Sequence, residues 1–144
     1  MSKAIIVYWT GSGNTEIMAE KIKDGIDSCG YDVKMCMVDE IESEELLTYN
    51  NIIFGCPSMG EEILEETEFE PFFSEIEKNI ENKNIALFGS YGWGDGEWMK
   101  TWEERIRNSG AILFKEGLII NYTPEEEDES ICENFGKEFG EILK

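Results

Sequence analysis

The sequence contains no histidine and few basic residues, and these two shortages exclude several kinds of function. Its 144 residues include 32 acidic and 12 basic side chains, which gives a formal net charge of -20. Without histidine the chain lacks the most common general base, the Ser/His and Cys/His nucleophile pairs and most zinc sites. A strongly acidic surface repels nucleic acid and anionic membranes, so any macromolecular partner should present a basic patch.

Long apolar runs and closely spaced cysteines are also missing. No apolar run approaches the roughly 20 residues that span a bilayer, and the N-terminus lacks the pattern of a signal peptide. The cysteines are far apart in sequence and are interpreted as reduced, mostly buried thiols. They are Cys29, Cys36, Cys56 and Cys132. We expect a cytoplasmic protein that works as a monomer.

Short apolar runs that alternate with amphipathic segments predict the fold. With 41% hydrophobic residues, the chain should form one packed domain over residues 1–144. Runs typical of strands buried on both faces occur at 4–9, 52–56, 85–89 and 111–114, with a more polar edge run at 33–38. The pattern predicts an α/β fold, in which a doubly wound, five-stranded parallel sheet carries helices on both faces. Such sheets bind ligands at the carboxyl ends of their strands.

Three loops leave those strand ends, and the first, Thr10 to Thr15, has the composition of a phosphate site. Gly11 and Gly13 let the backbone curl closely around an anion. A helix that opens with Asn14 or Thr15 at its cap would point unpaired N–H groups at that anion. The side chains that add neutral donors are Thr10, Ser12, Asn14 and Thr15.

Two better-known glycine loops differ from this one. The loop lacks the Gly-Lys-Ser/Thr ending of a P-loop. It also has Glu16 where a dinucleotide motif needs a small residue. A monophosphate therefore fits best, although an ordinary strand-to-helix turn would have a similar composition.

The loop at residues 90–96 places two large aromatic residues among three glycines. Trp93 there suits stacking on a planar ligand whose edge meets backbone N–H groups. The alternative is that Trp93 and Tyr91 close the core. Trp98 and Trp102 have helical spacing, which favours packing in the core.

The loop at residues 57–62 combines a soft apolar side chain with a turn glycine. Met59 could contact a ring, and Gly60 could adopt the positive φ of a turn. An acidic run starts here, and apart from Glu62 we expect its carboxylates to form a solvated surface. They are Glu61, Glu65, Glu66, Glu68 and Glu70.

Together the three loops resemble the flavodoxin family, and its short-chain clostridial type in particular. The segments YWTGSGNTE, GCPSMGEE and LFGSYGWGDG carry the resemblance, in this order and over essentially the whole chain. The resemblance implies strand order 2-1-3-4-5, which is carried over from the family. It also implies non-covalently bound FMN and low-potential one-electron transfer between redox enzymes, by semiquinone/hydroquinone cycling.

The resemblance further implies roles for individual residues. The loop from Thr10 to Thr15 would bind the FMN phosphate, and Met59 and Trp93 would cover the two faces of the isoalloxazine ring. Glu62 would accept a hydrogen bond from the ring N3–H, and Gly60 would turn its carbonyl towards N5–H when the semiquinone forms. The predicted cofactor-binding residues are Thr10, Gly11, Ser12, Gly13, Asn14, Thr15, Ser58, Met59, Gly60, Glu61, Glu62, Ser90, Tyr91, Gly92, Trp93 and Gly94.

Glu61 and Pro57 each restrict the loop at residues 57–62. In a four-residue turn from Met59 to Glu62, presenting the Gly60 carbonyl would require positive φ at Gly60. The opposite orientation would require positive φ at Glu61, which a non-glycine residue resists, so Glu61 should favour the first. Pro57 offers neither an N–H nor a hydroxyl, which leaves the role of Ser58 at the phosphate open.

The sequence argues against two other functions. A signalling receiver of the same sheet order would need an aspartate at the end of strand three, where residues 53–57 have none. An FMN-dependent reductase would need a cationic surface for a nicotinamide cofactor, and basic residues are few near these loops. We therefore expect an electron carrier without a substrate of its own, which docks to basic patches of redox proteins.

Overall fold

The computed structural model describes residues 3–143, and a parallel sheet forms its centre. The strands are β1 Ala4–Tyr8, β2 Val33–Met37, β3 Asn51–Gly55, β4 Asn84–Tyr91, β5 Ile112–Leu113 and β6 Leu118–Asn121. Their order is β2-β1-β3-β4-β5, and β6 also pairs with β4. Every pairing between these strands is parallel, so the predicted strand order is confirmed.

The fifth position of the sheet is occupied by two short strands, where the sequence predicted one strand at 111–114. β5 pairs with the start of β4, and β6 pairs with its last residues. Between them the chain leaves the ladder, because Lys115 has φ 128 and the Gly117 N–H donates to Glu103 Oε2 at 2.6 Å. The prediction missed β6 because most of its side chains are only partly buried, which makes its pattern weak.

Helices cover both faces of the sheet, as predicted. They are α1 Asn14–Asp27, α2 Ser43–Leu46, α3 Phe69–Ile76, α4 Glu97–Asn108 and α5 Glu126–Glu141, with 3₁₀ turns at Val38–Glu40 and Glu77–Asn79. Alternate residues of β1 enter two separate cores. Ile5 packs on the side of α3 and α4, whereas Ile6 packs on the side of α1 and α5. This two-sided burial explains why all five residues of β1 are buried.

The buried side chains include several that the sequence assigned to the core. Trp98 and Trp102 of α4 are almost fully buried, as their helical spacing predicted. The cysteines are free thiols, and three of them are buried while Cys29 is partly buried. Burial raises the pKa of the Cys36 thiol to about 11. Within residues 3–143, no helix is both long and apolar enough to cross a membrane.

The register of the central strands brings the three loops together. Tyr8 is paired with Gly55, and Gly55 is paired with Phe88, so β1, β3 and β4 approach the same edge side by side. The chain leaves that edge through residues 9–13, 56–68 and 92–96, and the first of these leads directly into α1. The three loops predicted from separate segments therefore lie together at one edge of the sheet.

Candidate functional site

The three loops enclose a cleft of about 320 Å³. The predicted residues that line it are Thr10, Gly11, Ser12, Asn14, Thr15, Ser58, Met59, Ser90, Tyr91 and Gly92. Trp9, Pro57 and Tyr122 also line it, and the sequence did not assign them to the site. The other predicted residues, Gly13, Gly60, Glu61, Glu62, Trp93 and Gly94, lie outside this lining.

The start of α1 is built differently from the prediction. Gly13 occupies the cap with φ 98, and Asn14 is the first helical residue, so the assignment of the cap to Asn14 or Thr15 was wrong. Such a positive φ is costly for any residue with a Cβ, which explains why glycine stands there. The Gly13 N–H donates to Thr10 Oγ1 at 3.0 Å, and no side chain caps the N-terminus of α1. The N–H groups of its first turn can therefore bind an anion.

Thr15 connects the phosphate loop to the third loop. Its side chain is buried, and its Oγ1 lies 2.9 Å from Ser90 Oγ. The Ser90 N–H also donates to Thr15 Oγ1, at 3.4 Å. Because this hydroxyl bonds to Ser90, Thr15 links the start of α1 to the end of β4.

The donor set of the loop fits a phosphate. Thr10, Ser12 and Asn14 all line the cleft beside the uncapped start of α1, and no Lys or Arg is among the described residues that line it. Hydroxyl, amide and backbone N–H groups can bind a phosphate by hydrogen bonds alone, and the helix dipole adds a favourable field. The geometry therefore supports an anion site without a cation.

The second loop closes one residue later than predicted. Met59 and Ile63 exchange two backbone hydrogen bonds, of 2.8 Å and 3.0 Å, so the turn has three residues between the paired positions. Gly60 has φ +50, which confirms its predicted positive φ, and Glu61 does not share it. Glu62 has φ 58, which the four-residue turn did not predict.

The carboxylate of Glu62 joins this turn to the start of α4. Glu62 Oε1 accepts hydrogen bonds from Gly96 N–H at 3.2 Å and from Glu97 N–H at 3.0 Å. A Cβ on Gly94 would lie 2.6 Å from Glu62 Cδ, so only glycine leaves room for the carboxylate there. These contacts explain how the strained backbone of Glu62 is held. The contact between Glu62 and a ring N3–H stays a prediction.

The acidic run that follows is not simply a solvated surface. Glu65 is 5% exposed, and Glu65 Oε1 accepts from Glu68 N–H and Phe69 N–H, both at 2.8 Å. Glu65 Oε2 accepts from Thr67 N–H at 2.8 Å and from the Thr67 hydroxyl. The prediction was therefore wrong for Glu65, because the chain folds back so that its carboxylate caps the start of α3.

Two other carboxylates of the run also have partners. Glu68 Oε1 accepts from Trp9 Nε1 at 3.0 Å, and the Trp9 ring lies against Gly11, where an added Cβ would be 3.1 Å away. Glu70 forms two hydrogen bonds with Arg105, of 2.7 Å and 2.8 Å, which link α3 to α4. The prediction of a solvated surface was wrong for Glu70, and Glu68 is exposed but bonded. Trp9 directly precedes the phosphate loop in sequence, and this position could have indicated that it lines the cleft.

One aromatic residue of the third loop packs against the core, and the other is exposed. Tyr91 packs against Trp98, with 5.6 Å between ring centroids, and also lines the cleft. Trp93 is 65% exposed, so it does not close the core. Asn121 Nδ2 donates to the carbonyls of Tyr91 and Gly92, at 3.2 Å and 3.0 Å. Asn121 was missed because β6 was not predicted.

Comparison with known proteins identifies the family. The sequence profile described as flavodoxin matches residues 6–135. The chain belongs to the flavodoxin family. It is 48% identical over 137 residues to the flavodoxin of Clostridium beijerinckii, covering 95% of this chain and 99% of that relative. Flavodoxins bind FMN non-covalently, and this protein is accordingly an FMN-binding electron carrier.

Solved flavodoxin structures have the same fold. Two-electron reduced Megasphaera elsdenii flavodoxin gives a TM-score of 0.87 at 37% identity, covering 96% of this chain and 98% of that one. A flavodoxin from the domain Archaea gives a TM-score of 0.88 at 30% identity, covering 97% of each chain. The family resemblance of the three loops therefore extends to the whole arrangement of strands and helices.

The hydrogen bonds of Glu65 generate a prediction about pH. Burial alone would raise the pKa of Glu65, but the hydrogen bonds from Thr67, Phe69 and Glu68 outweigh it and lower that pKa below its ordinary value. A lowered pKa in the folded state stabilises the protein above the unfolded pKa of about 4.3, and this contribution disappears as the pH falls through the folded pKa. At pH 7, Glu65→Gln should lower the free energy of unfolding by about 1–3 kcal/mol.

Urea denaturation of the wild type and Glu65→Gln between pH 7 and pH 3 measures this. Glu66→Gln is the control, because Glu66 is an exposed neighbour and its loss changes the net charge equally. The difference between wild type and Glu65→Gln should narrow below about pH 4.3. A difference that stayed constant across the range would contradict the stabilising role of the ionised carboxylate.

Proposed function

We propose that the cleft between the three loops holds FMN, and that residues 1–144 act as one FMN-binding domain. The observation that carries the proposal is the uncapped start of α1, whose neutral donors line the same cleft as Met59 and Tyr91. An anion site beside apolar side chains suits a planar cofactor that carries a phosphate. Thr10, Ser12, Asn14 and the first N–H groups of α1 would hold the phosphate.

The remaining predicted residues would meet the ring system. Met59 and Trp93 would cover its faces, Glu62 would accept a hydrogen bond from N3–H, and the Gly60 carbonyl would accept one from N5–H. Gly92 would approach the pyrimidine edge, and Ser58 and Ser90 would lie between ring and phosphate loop. When bound, FMN supplies one-electron redox chemistry. The protein then needs no substrate of its own.

The negative charge of the protein should lower the redox potential of bound FMN. One carboxylate at about 10 Å, with an effective dielectric near 20, disfavours an added negative charge by roughly 1.7 kcal/mol. For one electron this corresponds to on the order of 70 mV, before solvent screening reduces it. The loop from Thr10 to Thr15 contains no Lys or Arg, so it does not compensate the field of nearby carboxylates such as Glu61 and Glu62. We infer a low potential for the last reduction step.

The phosphate site is tested by titrating apoprotein with FMN and with riboflavin, which lacks the phosphate. The wild type should bind FMN more tightly than riboflavin. Ser12→Ala removes one donor to a charged group and should weaken FMN binding about tenfold or more, with little effect on riboflavin. Ser130→Ala, at an exposed position of α5, is the control and should change neither affinity. Equal affinities of the wild type for the two flavins would overturn the phosphate site.

The turn at Gly60 generates a second test. Gly60→Ala should strain the φ of +50 by about 1–2 kcal/mol and disfavour the turn that presents the carbonyl. The two one-electron potentials should then move closer together, by about 40–90 mV for each potential that responds. Gly30→Ala is a matched control, because Gly30 also has positive φ, also has open space for a Cβ, and follows α1.

Redox titration with indicator dyes measures both potentials in the wild type and in each variant. Gly30→Ala should lower stability without changing the separation of the potentials. A Gly60→Ala protein with the wild-type separation would refute the role of this carbonyl.

We also propose that the protein is a cytoplasmic monomer that docks to redox proteins with basic patches. A groove of about 510 Å³ lies along the turn after Met59 and combines exposed apolar and acidic side chains. Met59 and Ile63 are exposed there beside Glu61 and Glu66. A partner with basic residues around an apolar centre would complement this surface.

The docking proposal predicts salt-dependent electron transfer. With a basic c-type cytochrome as a generic acceptor, the rate constant should fall as ionic strength rises from about 0.01 M to about 1 M, because the Debye length shrinks from about 30 Å to about 3 Å. The double variant Glu61→Gln/Glu66→Gln should weaken this dependence more than Glu126→Gln/Glu127→Gln on α5. Stopped-flow mixing measures the rates. Salt-independent rates, or direct reduction by NADPH without a partner, would contradict the proposal.

A further inference from the structure

Tyr122 is an unusual residue for its position in the fold. It follows β6 directly, has φ 60 and is 62% exposed. A left-handed backbone is unusual for a residue with a bulky side chain, and glycine or asparagine would adopt it more easily. The ring belongs to neither of the two cores. Neither backbone conformation nor core packing therefore explains a tyrosine at this position.

The strained backbone of Tyr122 is tied to the third loop. Its N–H donates to the Tyr91 carbonyl at 2.7 Å, beside the two bonds that Asn121 makes to Tyr91 and Gly92. Strained residues persist where their surroundings hold them, and they concentrate at ligand sites. The end of β6 is thus fixed against the part of the third loop that faces the cleft.

Tyr122 lies at the cleft, and its ring lies beside Gly92. Tyr122 lines it together with Thr10, Ser58 and Ser90, which come from the three loops described above. A Cβ placed on Gly92 would lie 3.3 Å from Tyr122 Cε1, so the ring rests against the glycine that leaves room for it. The ring is therefore exposed at the rim of the cleft that would receive the cofactor.

We propose that Tyr122 is a further cofactor-binding residue, whose ring covers bound FMN on the Gly92 side of the cleft. The inference rests on the proposed function of the cleft. A ligand in the cleft would cover apolar surface of the ring, which contributes favourably to binding. The energetic cost of the left-handed backbone would then be offset by the aromatic contact with the cofactor.

Chemical nitration tests the contact in the wild-type protein. Tetranitromethane should nitrate Tyr122 in the apoprotein and much less in the FMN complex, as measured by mass spectrometry of peptides. Tyr31 is the internal reference, because it lies at the opposite edge of the sheet from the cleft. The next residue, Asp32, accepts a hydrogen bond from Lys3 N–H, just before β1 begins. Nitration of Tyr31 should not depend on FMN. If FMN binds, as flavin fluorescence reports, and Tyr122 is nitrated equally in both forms, the inference is overturned.

Substitution separates a binding role from a structural one. Tyr122→Asn should raise the FMN dissociation constant about tenfold, as expected for loss of one aromatic contact. Its apoprotein should unfold at the same or a higher urea concentration, because asparagine tolerates the left-handed region. Tyr122→Phe keeps the ring and should stay within about twofold of the wild type.

The outcomes distinguish this inference from the proposed function. An unchanged dissociation constant for Tyr122→Asn would overturn the binding role of Tyr122, while the FMN site itself would stand. A wild-type protein that bound neither FMN nor riboflavin would overturn both. If the variants do not fold, nitration of the wild type still tests whether FMN covers Tyr122.

Discussion

Parallel pairing of β1, β3 and β4 aligns Tyr8, Gly55 and Phe88 across the centre of the sheet. Because each strand is followed by a crossover on one face or the other, all three loops must leave at the same edge. The start of α1 comes directly after β1, so its unpaired N–H groups lie at that edge too. Residues of all three loops therefore line one cleft.

Carboxylates act in this protein as structural ligands as well as sources of charge. Glu62 binds the start of α4, Glu65 caps α3, and Glu68 accepts from Trp9. Most of these partners are neutral N–H groups, and two of the bonding sites are helix N-termini, where a negative charge is favoured. Glu62, Glu65 and Glu68 can thus order the second loop without basic partners, whereas Glu70 in α3 pairs with Arg105. The charges that we propose to disfavour reduction of bound FMN therefore also order the second loop.

The residues with strained backbone near the cleft are held by hydrogen bonds to neighbouring loops. Glu62 and Tyr122 have positive φ, and each is held by hydrogen bonds to the third loop or to the start of α4. Gly60 and Gly94 supply positive φ where glycine makes it inexpensive. The second and third loops therefore constrain each other, so that a change in one turn should alter the geometry of the other.

The sequence by itself determined the layered fold, the strand order expected for the family and most of the residues that line the cleft. These depend on local patterns: the periodicity of apolar residues and the types of residue that follow each strand. Only the tertiary structure decided that the fifth strand is divided, that Gly13 caps α1, and that Glu65, Glu68 and Glu70 have partners. It also decided that Tyr122 reaches the cleft. The physical reason is separation along the chain, since Trp9 and Glu68 are 59 residues apart and only folding brings their side chains within hydrogen-bond distance.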